Sequence, residues 1–131
     1  MKDTEKNNIM EVAKEQFELW VKEAIDNLPE KFFKKINNVA FIVKDEPTKE
    51  QLKKAKLNAS HILFGLYEGY LQSKKLNLGP VVPDRVTIFR KSITSQHSTR
   101  EGIRSQIFET IKHEIAHHFG SSEAGARKAS R

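Results

Sequence analysis

The clearest helical segment of the chain is Ile107–Gly120, which reads IFETIKHEIAHHFG. Its apolar residues recur at three- and four-residue steps, as in a helix with one face in a core. They are Ile107, Phe108, Ile111, Ile115 and Phe119. Upstream, Ser98 and Glu101 have the spacing of a capping box. We therefore predict a helix from about residue 99 to residue 119, ended by Gly120 in a left-handed conformation.

The same periodicity separates a polar face from the apolar one. At about 100° per residue, His113 lies roughly 200° around the axis from Ile111, and His117 lies equally far from Ile115. His118 follows Ile111 by seven residues and so returns to the apolar stripe. We predict that His113 and His117 face a site, and that His118 packs against or orients its neighbours.

Two imidazoles four residues apart on one helix can bind the same metal ion. With no cysteine in the chain, zinc would be held by nitrogen and carboxylate oxygen. Glu114 follows the first histidine and can act as general base towards a metal-activated water. Glu123 is the candidate for the third ligand, although it can equally be an exposed acid in a C-terminal tail. Iron, cobalt or manganese also suit such ligands.

Composition narrows the other classes of function. The 131 residues fit a single domain, for which we expect flexible ends at residues 1–6 and 124–131. The absence of cysteine excludes thiolate zinc sites, cysteine nucleophiles and disulfides. The N-terminus has no apolar signal sequence, and no apolar run is long enough to cross a bilayer. We expect a cytoplasmic protein without a membrane partner, and a monomer by default.

The charge of the chain is uneven. Residues 1–30 contain 4 Lys and 8 acidic residues, whereas the whole chain carries a net charge of +6. The basic remainder could attract nucleic acid. However, basic residues never run beyond two in succession, and no aromatic residues alternate with them as a stacking platform requires. We interpret the basic residues as solvated rather than as a nucleic-acid site.

The remaining elements complete an α+β pattern. We predict an amphipathic helix over residues 7–27 and a short helix at residues 29–35, followed by three strands. The strands are Val39–Val43, which we expect to be buried on both faces, Leu63–Tyr67, and Arg85–Arg90, which we expect to have one open face. Together these elements predict a compact single domain with a small sheet of three or more strands and a C-terminal helix carrying HExxH.

Three segments, in the same order and at comparable spacing, resemble the minimal zincin-like metallopeptidase family of small bacterial proteins. They are residues 65–69 (GLYEG), 83–89 (PDRVTIF) and 113–120 (HEIAHHFG). The resemblance implies a zincin-like fold, zinc bound by His113 and His117, and Glu114 as general base. It also implies a third ligand, usually Asp, at the position of Glu123. In zincins an edge strand binds extended substrate, a role that the second or the third strand could take.

The principal hypothesis is therefore a zinc-dependent metallopeptidase acting on a peptide or protein substrate. The alternatives are a non-catalytic protein that binds an acidic partner or nucleic acid, and a regulatory domain with a vestigial site. Two roles are open for three further polar residues: they line the substrate cleft or anchor a loop, or they form only local hydrogen bonds and ion pairs. These residues are Glu68, Tyr70 and Arg85. His61 and His97 lie in polar surroundings and are expected to be solvated.

Overall fold

A computed structural model describes residues 11–57, 62–69 and 82–130, with the backbone alone from residue 120 onwards. The elements in chain order are α1 (Lys14–Asp26), α2 (Glu30–Phe33), β1 (Val39–Lys44), α3 (Lys49–Lys54), β2 (Gly65–Glu68), β3 (Asp84–Phe89), α4 (Arg90–Thr94) and α5 (Arg100–Ser130). This is the predicted α+β fold. No helix in the described ranges is long and apolar enough to cross a membrane.

The sheet is mixed, and in the described chain it has three strands in the order β1-β3-β2. β1 runs parallel to β3, with Val39 opposite Asp84 and Lys44 opposite Phe89. β2 runs antiparallel to β3, with Gly65 opposite Ile88. β3 is therefore the central strand, and β2 lies at an edge beside helix α5, with which it is in contact.

The burial of two strands differs from the prediction. β1 was expected to be buried on both faces, but it lies at the other edge of the sheet, and four of its six residues are half-buried. β3 was expected to have an open face, yet Val86, Ile88 and Phe89 are completely buried in it. Which strand is central depends on the order of the strands in the sheet. The hydrophobic pattern of a single strand carries no information about that order.

The isoleucine stripe of α5 forms the centre of the core. Ile103, Ile107, Ile111 and Ile115 are all fully buried, as the sequence pattern predicts for the last three. They belong to a hydrophobic cluster that also includes residues of α1, among them Phe17, and residues of β3. From Ile103 to Ile115 one face of α5 is thus packed in the core, which gives the opposite polar face a rigid support.

Both predicted ends of this helix need correction. Thr99, and not Ser98, caps the N-terminus, because its hydroxyl accepts a hydrogen bond of 3.0 Å from the Gly102 N–H. The helix does not end at Gly120 but continues to Ser130. Glycine tolerates a helical conformation, so a glycine at the expected position does not by itself impose a stop.

Three shorter elements depend on local chemistry. The short helix predicted over residues 29–35 is present as α2, but it spans only Glu30–Phe33, and Pro29 lies immediately before it rather than in its first turn. In α3, Thr48 and Gln51 form a capping box, which starts a helix in a polar segment. α4 follows β3 directly and was not predicted. Part of the predicted N-terminal helix, residues 7–10, lies outside the described residues.

Candidate metal site on the C-terminal helix

His113 and His117 project from the exposed face of α5. Both side chains are exposed, in contrast to the fully buried Ile111 and Ile115. Their rings are parallel to within 4°, with centroids 5.7 Å apart. This spacing follows from one helical turn between the two residues. The structure thus places two imidazoles side by side, as the sequence predicts.

Glu114 is half-buried between the helix and the edge strand. Its Oε1 accepts a hydrogen bond of 3.1 Å from the backbone N–H of Tyr67 in β2. Burial raises the pKa of the Glu114 carboxyl above its ordinary value, while His113, the Tyr67 N–H and His117 oppose that rise. A carboxylate whose pKa is shifted towards neutrality is suited to accepting and returning a proton.

Gly65 allows β2 to approach α5 this closely. A Cβ atom at this position would lie 2.6 Å from the Cγ2 of Thr110 and 3.2 Å from the backbone oxygen of Thr87. It would also contact the Cγ of Glu114 at 3.7 Å. Any larger residue would therefore separate the strand from the helix at the level of the candidate base.

Tyr67 joins the sheet and the helix a second time through its side chain. Its ring stacks on His118 with centroids 3.8 Å apart and planes 10° apart. Its hydroxyl donates a hydrogen bond of 2.8 Å to the Oδ2 of Asp84, which is buried. Burial, and then this hydrogen bond, raise the pKa of the Tyr67 phenol, so it remains a neutral donor. The prediction that His118 is a packed residue is confirmed by this contact.

A polar network anchors the end of β2. Glu68 accepts hydrogen bonds from Gln51 at 3.3 Å and from Arg85 at 3.2 Å, and forms an ion pair with Lys54 at 2.8 Å. Glu68 and Arg85 therefore have the local, structural role that was one of the two predicted alternatives. Within the described part of the chain, the buried Arg85 Nε has no hydrogen-bond partner. Tyr70, the third residue of that prediction, lies outside the described residues.

The donors present fit a divalent metal in part. His113 and His117 provide two nitrogen donors at i,i+4 spacing, and both lie near enough to Glu114 to lower its pKa. Among the residues whose side chains are described, no group of three or more His, Asp or Glu is arranged to bind a metal. The side chain of Glu123 lies outside them, so its role as third ligand stays a prediction, one that assumed a chain reversal at Gly120 where the helix instead continues.

Several residues around the site were not identified from the sequence. Tyr67 is hydrogen-bonded to Glu114, which lies 47 positions later in the chain. Gly65 packs against Thr110, which lies 45 positions later. The available signal was the glycine within a strand, which often marks a close approach of another element. His97, expected to be solvated, is instead hydrogen-bonded to Gln106 at 3.1 Å.

Comparisons with known proteins concern the fold and the family of the chain. A conserved hypothetical protein from Thermus thermophilus has a similar structure, with a TM-score of 0.55 and 18% sequence identity over 86% of this chain and 98% of that one. At that identity the likeness concerns the fold. No curated protein matches the chain. The family model described as zincin-like metallopeptidase matches residues 36–129, which include β2, β3 and the HExxH helix. The chain therefore belongs to the zincin-like metallopeptidase family.

Proposed function

We propose that the protein is a zinc-dependent peptidase that hydrolyses peptide bonds with Glu114 as general base. The observation that supports this most strongly is the hydrogen bond between Glu114 and the main chain of an edge strand. It places a half-buried carboxylate between two exposed parallel imidazoles and a strand that can bind extended peptide. Membership of the zincin-like metallopeptidase family supports the same reading.

His113 and His117 would hold the zinc. Glu123 as third ligand requires the chain to leave the helix near Gly120, since in the continuous helix it lies about 9 Å beyond His117 along the axis. A zinc ion supplies Lewis-acid activation of water and of a carbonyl group. The helix supports the two histidines because the isoleucines behind them are fully buried. Ligand directions are then fixed by a packed helix rather than by a loop. Another divalent metal remains compatible with His₂-carboxylate donors.

Glu114 would perform the proton transfers. One carboxylate oxygen, Oε1, is held by the Tyr67 N–H at 3.1 Å, which leaves Oε2 to accept the proton of the attacking water. The same oxygen then returns that proton to the amine of the leaving peptide. The raised pKa of Glu114 favours the first of these steps, since a weaker acid is a stronger base.

β2 would bind the substrate backbone. The Phe64 carbonyl accepts a hydrogen bond from the Phe89 N–H at 2.9 Å, so the main-chain groups of Phe64 face β3. By the alternation of a strand, those of Gly65 and Tyr67 point away from β3; the Tyr67 N–H among them donates to Glu114, so a peptide would pair with the others. An extended peptide can add to such an edge. β3 cannot take this role because it lies between two other strands.

Metal content and turnover test this proposal together. Protein purified without a chelating column or a His tag should contain about one zinc per chain, and His117→Ala should contain far less. The zinc-loaded wild type should cleave members of a broad peptide library. Glu114→Gln should bind zinc and lose turnover by at least about a thousandfold, because it cannot accept the proton. Glu15→Gln, an exposed acid on α1, is the matched control.

The possible results separate the rival functions. Lack of zinc, with no uptake on titration, would contradict a metallopeptidase. Zinc without hydrolysis would favour a non-catalytic protein on the same fold, and steep salt dependence of nucleic-acid binding would then identify the partner class. A large loss of zinc affinity in Glu123→Ala would support Glu123 as third ligand. Unchanged affinity would assign it to the exposed tail.

A further inference from the structure

A cleft of about 320 Å³ lies directly beside the candidate base. One wall is the chain entering β2, from Leu63 to Gly65, and the other is helix α5. His113 and Glu114 line it at one end, and the helix residues Gln106 and Glu109 continue it towards the helix N-terminus. A substrate side chain next to the reacting bond can enter this space.

Glu109 gives the cleft its charge. It precedes His113 by one helical turn, so the two lie on one side of the helix, about 6 Å apart along its axis. Its side chain is exposed, and none of the described residues forms an ion pair with it. Of the described residues that line the cleft, Glu109 and Glu114 are the carboxylates, and no lysine or arginine is among them.

This local charge is opposite to that of the protein, which carries a net +6. At physiological ionic strength the screening length is about 8 Å, so the carboxylate within the cleft acts on a bound group more strongly than remote lysines do. A cationic side chain is therefore attracted here, although the protein as a whole is basic.

The other lining groups suit a long side chain with a charged tip. Leu63 and Phe64 are half-buried and offer apolar surface to an aliphatic stem. Gln106 forms a neutral polar floor with a defined orientation. Its Oε1 lies 3.1 Å from the Nε2 of His97, and its Nε2 donates a hydrogen bond of 3.1 Å to the Oγ1 of Thr110.

We propose that this cleft binds a lysine or arginine side chain of the substrate, next to the scissile bond, and that Glu109 is the specificity-determining residue. The aliphatic stem lies along Leu63 and Phe64, and the cationic tip pairs with the Glu109 carboxylate. The inference rests on the proposed peptidase function, because it names the substrate class of the same site.

Matched peptides test the proposal. A neutral fluorogenic peptide is compared with versions carrying a single lysine, or norleucine at the same place, scanned along its length. At one position next to the cleaved bond, wild type should prefer lysine about fivefold in kcat/KM, since an exposed ion pair contributes up to about 1 kcal/mol. Glu109→Gln should abolish the preference, and Glu109→Lys should make glutamate the better residue. Glu101→Gln, an exposed acid on the same helix, should keep it.

A binding experiment separates this inference from the peptidase function. Fluorescence anisotropy measures the same lysine and norleucine peptides on zinc-loaded Glu114→Gln, with and without Glu109→Gln. Selective binding of lysine that depends on Glu109 supports the cleft even if the wild type cleaves nothing. Hydrolysis without lysine preference, or a preference that survives Glu109→Gln, would overturn the inference and leave the peptidase function intact.

Discussion

The backbone N–H of Tyr67 donates a 3.1 Å hydrogen bond to the Oε1 of Glu114, and so ties the edge strand to the HExxH helix. The two residues are far apart in sequence, yet the contact orients the side chain on which the proposed chemistry depends. The surrounding interactions, at Gly65, Asp84 and His118, all maintain this approach of β2 to α5. Each can be altered separately.

Replacing Glu114 should separate its structural role from its chemical one. Glu114→Gln keeps an oxygen that can accept from the Tyr67 N–H, so the free energy of unfolding should change by less than about 0.5 kcal/mol. Glu114→Ala removes the acceptor and should cost about 1 kcal/mol more, the usual net value of a hydrogen bond. Urea unfolding of the metal-free proteins measures both. Equal stability of the two variants would contradict a structural role for this hydrogen bond.

Gly65→Ala should destabilise the protein by about 1–3 kcal/mol, as overpacking in a close-packed region does. The added methyl would lie 2.6 Å from the Thr110 Cγ2. Thr110→Ser removes that methyl and keeps the hydroxyl, so the double variant should recover part of the loss. The recovery should be incomplete, because the backbone oxygen of Thr87 remains 3.2 Å away.

The neighbouring Gly69 provides the control for this experiment. A Cβ atom there would meet Asp84 and His118 at 3.4 Å, which is ordinary contact. Gly69→Ala should therefore leave the unfolding midpoint nearly unchanged. If Gly65→Ala were equally harmless, or if Thr110→Ser gave it no recovery, close approach would not be the reason for glycine in β2.

Tyr67→Phe should weaken the attachment of the strand without removing the stacked ring. It deletes the hydroxyl that donates to Asp84 at 2.8 Å, and the buried carboxylate then loses one of its donors. We expect a loss of about 1–3 kcal/mol in the free energy of unfolding. A double-mutant cycle with Asp84→Asn measures the coupling, which should exceed about 0.5 kcal/mol. Additive effects would show that the pair is not coupled.

Acidification should weaken the network around Glu68. The Glu68 carboxyl is partly desolvated, which raises its pKa, but hydrogen bonds from Lys54 and Gln51 and the charges of Lys54 and Arg85 outweigh this and lower it below 4.5. Because the pKa of Glu68 is lower in the folded state, the unfolded chain binds more protons at pH values between the folded and the unfolded pKa. The stabilisation is therefore present above about pH 4.5 and is lost as the pH falls through the folded pKa.

Unfolding between pH 7 and pH 3 checks this expectation. Glu68→Gln should be less stable than wild type at pH 7, and the difference should shrink as the pH falls. Glu15→Gln, an exposed substitution on α1, should keep the pH dependence of the wild type. A difference between Glu68→Gln and wild type that stays constant down to pH 3 would exclude the charge of Glu68 as its cause.

Sequence patterns were reliable where a property repeats within one element. The four-residue repeat of isoleucines identified the buried face of α5, and with it the exposed positions of His113 and His117. Patterns failed where a competing choice is nearly equal in energy. Ser98 and Thr99 can both cap a helix, and the structure uses Thr99. Gly120 can end a helix or continue it, and here it continues.

By itself the sequence determined the α+β class, the HExxH helix and its two faces, since periodicity and spacing along one chain specify these features. Only the tertiary structure decided that β3 is central, that β2 is the edge strand beside the helix, and that Tyr67 holds Glu114. These depend on contacts between residues distant in sequence, which form when the core closes. The approach of β2 to α5 is such a contact, and a glycine at residue 65 makes it sterically possible.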